Sequence, residues 1–522
     1  MQRKSKLAAT LLVLAMGSSL ALTGCGNSNG SGNGNETNQA ANAAEPANGG
    51  GSNAQTANGG GAAGDKPALD PVELSIYYPG TEQKDVAAVE AELNKQLKDK
   101  INATVKINAV DWGNWSQKIN LMVASGEPFD LLFTAGWDNF SGNVAKGAFL
   151  DVTSLIDEYA PETKAQMNPE LLTGTAIGGK NYAVPVEKEM ASEFGIVLNK
   201  DLVDKYQFDV STIKSYADLE PMLQTIKEKE PNVVPFWGGK NTISLIPFEQ
   251  IGAVPGAIKQ DGTTTVVDQW ETPEMQQMLK LMRNWNLKGY FQKDPATQKD
   301  AGPSNKAGTV FAQWQQLTPG KDKVLSQQWG HPMVQVVLTQ PYTTSGDLNG
   351  AMTAISRTSK NPERAMMLIN LLHTDARLLN TLVYGVEGTH YVKAADNVIK
   401  LPDGAQAGQS GYAPGNNYMF GSQFLNYLWD NEDPQKWDAY KAFNASAKPS
   451  PIVGFSYNAE PVKNEEAAIT NIYNAYIDGL STGVMDPDKE LPVFIDKMKK
   501  AGLDKVIAEK QKQIDAFLSG KQ

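Results

Sequence analysis

The chain has 522 residues, with 58 acidic and 47 basic side chains and a formal net charge of −11. An acidic chain repels nucleic acid phosphates and anionic lipid headgroups, which excludes nucleic acid as a partner. A single cysteine excludes an internal disulfide, and the three histidines lie at no zinc-ligand spacing, so we expect neither a metal site nor a cofactor.

The first 24 residues have the features of a secretory leader, with a basic start and an apolar run over 7–22. Residues 22–25 read Leu-Thr-Gly-Cys, which resembles the bacterial lipobox, where the leader is cut before the cysteine and the sulfur receives a diacylglycerol. The run is short for a membrane span, which needs roughly 20 apolar residues. We therefore predict a signal peptide at 1–24 and lipidation of Cys25. The alternative is a plain secretory leader with an unrelated cysteine.

Residues 26–66 contain no Ile, Leu, Val, Met, Phe, Trp or Tyr. A segment of this composition buries too little apolar surface to order itself. We predict a tether over 25–69, with an end-to-end distance of roughly 35 Å for a flexible coil. The remaining ~455 residues exceed what one hydrophobic core usually holds, which predicts two lobes.

Strands and helices alternate after the tether, and this order predicts a parallel α/β sheet. Alternating or apolar runs predict strands at 72–78, 104–110, 129–134, 194–198 and 233–237. Apolar residues spaced by three and four predict helices at 86–97, 115–124, 215–229, 273–285 and 361–382, and over most of the last sixty residues. Asn361 and Pro362 are a plausible N-cap and first helical residue.

Four stretches resemble the extracellular solute-binding lipoproteins of bacterial ATP-driven sugar importers. They read Ser-Gly-Glu-Pro-Phe-Asp at 125–130, Gly-Lys-Asn-Tyr-Ala-Val-Pro at 179–185, Ser-Lys-Asn-Pro-Glu-Arg-Ala at 359–365 and Tyr-Gly-Val-Glu-Gly-Thr-His-Tyr at 384–391. The last stretch and the tail from 454 to 517 resemble a Gram-positive subgroup with a distinctive C-terminal domain. Phe129, inserted before Asp130, is a departure that leaves the architecture untouched.

This resemblance implies a two-lobed α/β clamshell of the periplasmic-binding-protein type II, with an added helical C-terminal region. The first lobe is then expected to hold 70–188 and 333–354. The second lobe is expected to hold 189–332 and 355–522, including the C-terminal region 454–522.

A sugar presents hydroxyls around apolar C–H faces, so its site needs flat aromatic rings and hydrogen-bonding side chains. Such sites lie beyond the carboxyl ends of parallel strands. Trp137 and Asp138 follow the strand at 129–134, as a stacking platform and a hydroxyl acceptor, and the resemblance places acidic and aromatic ligand residues in this loop. Tyr78 ends the first strand, and Trp112 follows the second. A surface tryptophan that covers a helix is the alternative for Trp137, and helix packing is the alternative for Trp112.

Further candidates follow later strands. Glu187 comes two residues after the Pro185 turn, where the resemblance implies a ligand carboxylate; a solvated hinge residue is the alternative. Trp237 ends a strand beside two glycines, and Trp314 matches the aromatic stacking element of the second lobe in the resembling family. Tyr412 and Tyr418 lie in a loop rich in glycine and asparagine that is expected to form a cleft wall. Core positions are expected for Trp270, Trp285, Trp329, Trp429, Trp437, Met275, Met278 and Met282.

The expected function is capture of a carbohydrate, most simply an oligosaccharide, by lobe closure and its delivery to an ABC permease. The protein is expected to be a monomer on the outer face of the cytoplasmic membrane of a Gram-positive bacterium. A hydrolase would need two carboxylates roughly 5–10 Å apart, and nothing in the sequence marks such a pair, so we expect no enzyme. An extracellular hydrolase and a co-receptor that signals without transport are the alternatives.

Overall fold

The computed structural model describes residues 69–298, 300–405 and 410–520. The predicted leader at 1–24, Cys25 and nearly all of the predicted tether lie outside the described residues. Within the described ranges, no helix has the length and the apolar character to cross a membrane.

The first lobe is built on a sheet that has five strands among the described residues. In sheet order they are Ala103–Val110, Val72–Pro79, Leu131–Thr134, Met352–Ile355 and Val184–Pro185. The first three are parallel, as predicted, and Met352–Ile355 runs antiparallel to its neighbours. Along Val72–Pro79 the side chains at 74, 76 and 78 are buried, because alternate residues of a strand face the same side.

Helices on this sheet complete the first core. They are Val86–Ile101, Trp115–Ser125, Phe140–Ala145, Thr153–Tyr159, Pro161–Gln166, Pro169–Gly174, Ser345–Leu348, Pro362–Thr374 and Ala376–Tyr384. A small sheet of Val392–Ala395, Val398–Lys400 and Leu428–Trp429 lies beside Tyr384. The predicted helices at 86–97 and 115–124 are confirmed.

The second lobe has a sheet whose described strands are, in order, Met333–Val337, Glu193–Asn199, Val310–Leu317 and Val234–Trp237. Its helices are Lys200–Tyr206, Glu220–Lys229, Pro273–Leu287, Gly302–Lys306, Lys321–Trp329, Lys463–Ser481, Pro487–Lys500 and Leu503–Ser519. A hairpin of Phe248–Gln250 and Ala257–Lys259 adds to it. Trp270, Trp285, Met275 and Met282 are buried in this core, as expected, and Trp329 is buried under the opposite face of the sheet.

The predicted lobe boundaries are wrong in two places. Residues 333–337 belong to the second lobe, because they pair antiparallel with Glu193–Asn199. Residues from 355 to about 447 stay largely with the first lobe, because Pro362–Thr374 and Ala376–Tyr384 bury their apolar faces in the first core. In the C-terminal region, Ile469, Phe494 and Val506 are buried in the second core.

The predicted helix at 361–382 is two helices that meet at Asp375. The backbone of Asp375 is extended, and its carboxylate accepts a hydrogen bond from the Leu378 N–H at 3.0 Å, so Asp375 caps the second helix. A short polar side chain that bonds nearby backbone competes with helix continuation. Asn361 stands at the start of the first helix, but its side chain makes no cap bond.

Three segments of the described chain pass between the lobes, at 186–192, 338–344 and 447–452, and we call them the crossing segments. They lie side by side. Ser192 bridges Tyr342 antiparallel, and Tyr342–Thr343 pairs in parallel with Lys448–Pro449. The lobes are therefore joined by a hydrogen-bonded strip of backbone.

Candidate functional site

The carboxyl ends of parallel strands from both lobes lie next to the crossing segments. In the first lobe, Val184–Pro185 leads into the first crossing segment and runs parallel to Leu131–Thr134, because both are antiparallel to Met352–Ile355. Leu131–Thr134 is in turn parallel to Val72–Pro79. In the second lobe, Val310–Leu317 ends where Glu193–Asn199 begins, and Val234–Trp237 runs parallel to it. The loops after these strands therefore border the interlobe cleft.

On the first-lobe side, Trp112 and Trp137 form a pair that we call the platform. Their ring centroids are 6.1 Å apart at an interplanar angle of 29°, and the two residues are 49% and 58% exposed. Phe133 lies under Trp137 at 5.9 Å, and the indole of Trp137 donates to the Gly350 carbonyl at 2.8 Å. The platform is thus a supported, solvent-facing aromatic surface.

Asp138, in the same loop, is half-buried. Its Oδ2 accepts a 2.5 Å hydrogen bond from the indole Nε1 of Trp115, a buried core residue. Burial raises the pKa of Asp138, opposed by hydrogen bonds from Trp115 and Ser116. One carboxylate oxygen is therefore engaged in holding Trp115 beneath the loop.

On the second-lobe side, Trp237 and Trp314 line one cavity of about 250 Å³, which we call the second-lobe cavity. Trp314 is half-buried and stacks on Phe194 at 5.7 Å and 22°. Its indole N–H is buried and has no hydrogen-bond partner among the described residues. Trp237 is 7% exposed, so only an edge of it reaches this space.

The three predicted tyrosine ligands are wholly or partly buried in the first lobe. Tyr78 and Tyr412 are core residues, 1% and 2% exposed, which corrects their expected place in the cleft. Tyr78 faces inward with its strand and packs edge-on against Phe420, while the Tyr412 hydroxyl donates to the Leu382 carbonyl. Tyr418 is half-buried against the first core.

Glu187 is half-buried at the start of the first crossing segment. Its Oε2 accepts from the Ser422 hydroxyl at 2.9 Å, and its backbone bonds Gly421 and Gln423. Burial raises its pKa, opposed by the Ser422 hydrogen bond and by Lys441. The carboxylate thus ties the crossing segment to a first-lobe loop.

A larger cavity of about 410 Å³, which we call the hinge cavity, was not predicted. It is bordered by both lobes, by the crossing segments and by the C-terminal region. Its lining residues are Ser192, Phe194, Phe248, Glu249, Gln250, Ile251, Gly252, Gln260, Gln316, Tyr342, Thr344, Ser345, Gly346, Asp347, Ile452, Phe455 and Tyr457. Alternation along Glu193–Asn199 and Val310–Leu317 could have marked Phe194 and Gln316, whereas no local signal brings Glu249 or Phe455 here.

Hydrogen bonds connect the walls of the hinge cavity. The Ser192 hydroxyl donates to Asp347 Oδ1 at 2.6 Å and accepts from the Gln316 amide at 2.6 Å. Asp347 Oδ2 also accepts from the backbone and the hydroxyl of Thr344. A first-lobe carboxylate is thereby linked to the second-lobe sheet through a crossing segment.

Glu249 is a second carboxylate at this cavity and is 7% exposed. Its Oε2 accepts from Ser450 Oγ at 2.5 Å and from the Tyr342 hydroxyl at 3.4 Å, so two crossing segments hold it. Burial raises the pKa of Glu249 to about 7; the two hydrogen bonds oppose the shift, and the charge of Asp347 adds to it. The group changes charge near neutral pH.

The hinge cavity is connected to the second-lobe cavity by a ring contact and to the platform by sequence. Phe194 lines the hinge cavity and stacks on Trp314, which lines the second-lobe cavity. Asp347 lies three residues before Gly350, the carbonyl partner of Trp137. No group of histidine, cysteine or acidic side chains in the described ranges is arranged to hold a metal ion.

Two α/β lobes, joined by paired crossing segments around an aromatic-lined cleft, define a two-lobed ligand-binding protein. The chain belongs to the bacterial extracellular solute-binding protein family, whose sequence model matches residues 80–376. A second model, described as a domain of unknown function, matches residues 451–519. The predicted family and fold class are confirmed.

A relative from Streptococcus pneumoniae, described as a carbohydrate ABC transporter substrate-binding protein, is 33% identical over 470 residues, which cover 88% of this chain and 93% of the relative. The crystal structure of the N-glycan transport solute binding protein from the same species is 32% identical, with a TM-score of 0.79 over 87% of this chain and 100% of that one. The same protein in complex with Man5GlcNAc has a TM-score of 0.66. An alginate-binding protein, 20% identical with a TM-score of 0.60, shares the fold.

Proposed function

We propose that this protein captures an oligosaccharide in its interlobe cleft and delivers it to an ABC permease. The observation that carries the proposal is the relative of 31–32% identity, covered over its whole length, whose solved complexes hold Man1GlcNAc and Man5GlcNAc. The cleft described above supports it, because aromatic rings border it on both sides. A flat ring covers the C–H face of a sugar, and neighbouring amides and carboxylates bond its hydroxyls.

Capture works by closure of the two lobes. A ligand that contacts both walls only when the lobes are shut binds the closed form more tightly and shifts the population toward it. The strip of crossing segments is the natural hinge for this motion. The relative's structures in complex with Man1GlcNAc and Man5GlcNAc have TM-scores of 0.69 and 0.66 to this chain, lower than the 0.79 of the structure described without a glycan.

The place of action in this proposal is the outer face of the cytoplasmic membrane. Lipidation of Cys25 anchors the chain, and the predicted tether gives the lobes reach while keeping their local concentration near the permease high. The protein acts as a monomer that binds its ligand unreacted.

Calorimetric titration of the purified protein with Man5GlcNAc and Man1GlcNAc tests the proposal, with maltotetraose as a comparison sugar. We expect saturable binding of one saccharide class, and stabilisation of about 2.7 kcal/mol at a ligand concentration 100 times Kd. Mass spectrometry of the same samples reads turnover, and cleaved glycan would identify a hydrolase instead. Absence of binding to any saccharide in a broad oligosaccharide panel would refute the proposal. A pull-down with the protein as bait tests delivery, and failure to recover permease subunits would favour the co-receptor.

A further inference from the structure

We propose that the hinge cavity is the subsite for one uncharged sugar unit at an end of the bound oligosaccharide, and that the C-terminal region completes this subsite. The inference rests on the proposed function and deepens it. It gives a role to the segment that matches only a domain of unknown function.

The size and the lining of the cavity suit a sugar. Its volume of about 410 Å³ falls within the roughly 300–1,000 Å³ typical of small-molecule sites. Its lining combines aromatic and polar side chains, namely Phe194, Phe248, Phe455 and Tyr457 with Glu249, Gln250, Gln260, Gln316 and Asp347. Rings for C–H faces and converging groups for hydroxyls are the two elements that recognition of a saccharide requires.

The charges of the lining select among sugars. Glu249 and Asp347 are acidic, and the residues described as lining the cavity include no lysine, arginine or histidine. A sugar hydroxyl can donate to a carboxylate in a charge-assisted hydrogen bond. A uronate or sialate carboxylate would instead be desolvated beside Asp347 and, above about pH 7, beside the ionised Glu249. None of the described lining residues is a cation that could compensate it, which makes the burial costly. The cavity therefore accepts a neutral unit and rejects an anionic one.

The C-terminal region provides one wall through Phe455 and Tyr457, next to Ile452 at the end of the third crossing segment. Phe455 packs on Phe517 of the last helix, with centroids 5.6 Å apart. A Cβ at Gly252 would lie 2.8 Å from the Tyr457 ring, so only glycine allows this ring to pack so closely on the neighbouring loop. The wall is thus built by contacts that need the C-terminal helix in place.

A buried lysine connects the last helix to the loop after Phe248–Gln250, which lines the hinge cavity. Lys510 is fully buried, and its Nζ donates to the carbonyls of Val254 and Pro255 at 2.7 and 3.0 Å. The same ammonium lies 5.5 Å from the centre of the Tyr457 ring. One side chain therefore holds the loop after Phe248–Gln250 and the aromatic wall together.

The test compares neutral Man5GlcNAc with two acidic forms of it, one with a sialic acid at a non-reducing end and one oxidised to the aldonic acid at its reducing end. We expect one of the two acidic forms to bind at least about tenfold more weakly than the neutral parent. Gln260→Lys places a cation in the cavity, so we expect it to reduce the ratio between the affinities for the neutral and the acidic glycan. A purely structural effect would not change this ratio. Equal affinity for all three glycans would overturn the inference.

The role of the wall is tested with Phe455→Ala, for which we expect at least about tenfold weaker binding of Man5GlcNAc. Leu287→Ala, at an exposed position that does not line the cavity, is the control and should bind as the unchanged protein does. If Phe455→Ala unfolds, Phe455→Leu keeps apolar packing but removes the ring. If the folded variant binds as tightly as the protein without substitutions, the subsite is refuted. If the protein without substitutions binds no saccharide, the proposed function itself is refuted.

Discussion

The buried carboxyl group of Glu249 gives a sharp test of the geometry at the crossing segments. The side chain is 7% exposed and is held by the hydroxyls of Ser450 and Tyr342, with Asp347 as a nearby like charge. Glu249→Gln keeps the shape and an acceptor oxygen for Ser450 but removes titration. The substitution therefore isolates the effect of charge at this position.

The magnitude follows from the pKa, which burial raises from 4.5 to about 7. Because the folded state holds the proton more tightly than the unfolded state, the stabilising contribution is complete below pH 4.5 and is lost as the pH rises through 7. This difference in pKa between the unfolded and the folded state corresponds to a stability contribution of about 3 kcal/mol at most. Between pH 5 and pH 8 the free energy of unfolding should fall by about 2–3 kcal/mol more in the unchanged protein than in Glu249→Gln.

Urea unfolding followed by tryptophan fluorescence at pH 5, 6, 7 and 8 measures this difference. Glu193 and Asp268 also have raised pKa values, near 7 and 6, but they are present in both proteins and cancel in the comparison. Glu274→Gln is the matched control, because Glu274 is ion-paired with Lys259 at the surface and its pKa is lowered, so it stays ionised throughout. Parallel pH profiles for the unchanged protein and Glu249→Gln would refute the reasoning.

Two further variants test the platform and the C-terminal region. Trp112→Ala removes half of a solvent-facing aromatic pair, so we expect about tenfold weaker saccharide binding by calorimetry with little change in stability; Leu121→Ala, which is 62% exposed, should bind normally, and a Trp112→Ala protein that binds equally well would contradict the assignment. Phe494→Ala empties a fully buried position in the second core and should cost about 3–5 kcal/mol in urea unfolding, whereas its exposed neighbour in Val493→Ala should cost under about 1 kcal/mol. Equal losses in these two would show that the C-terminal helices do not share the core.

Local patterns in the sequence determined most of the secondary structure and the class of the fold. The alternation in Val72–Pro79 and the three-and-four spacing in Val86–Ile101 depend on neighbouring residues, so they can be recognised without tertiary information. Trp112 and Trp137 were predicted as ligand residues because they follow successive parallel strands, whose ends share one edge of a sheet. The family motifs carried the two-lobed architecture.

Tertiary structure alone decided which lobe each later element joins. The helix Pro362–Thr374 has an apolar face that would suit either core, and its contacts with the first core fix its place. Tyr78 illustrates the same limit, since the sequence shows that it alternates with Tyr77 but not which side of the sheet is covered.

The hinge cavity depended entirely on long-range contacts. Glu249 meets Ser450 across 201 residues of sequence, and Lys510 meets Val254 across 256. No local pattern encodes such a pairing, because its energy comes from burial and hydrogen bonds that form only when distant segments pack together. The sequence by itself thus determined the elements, the family and the outer aromatic platform, while packing decided the cavity and the charges within it.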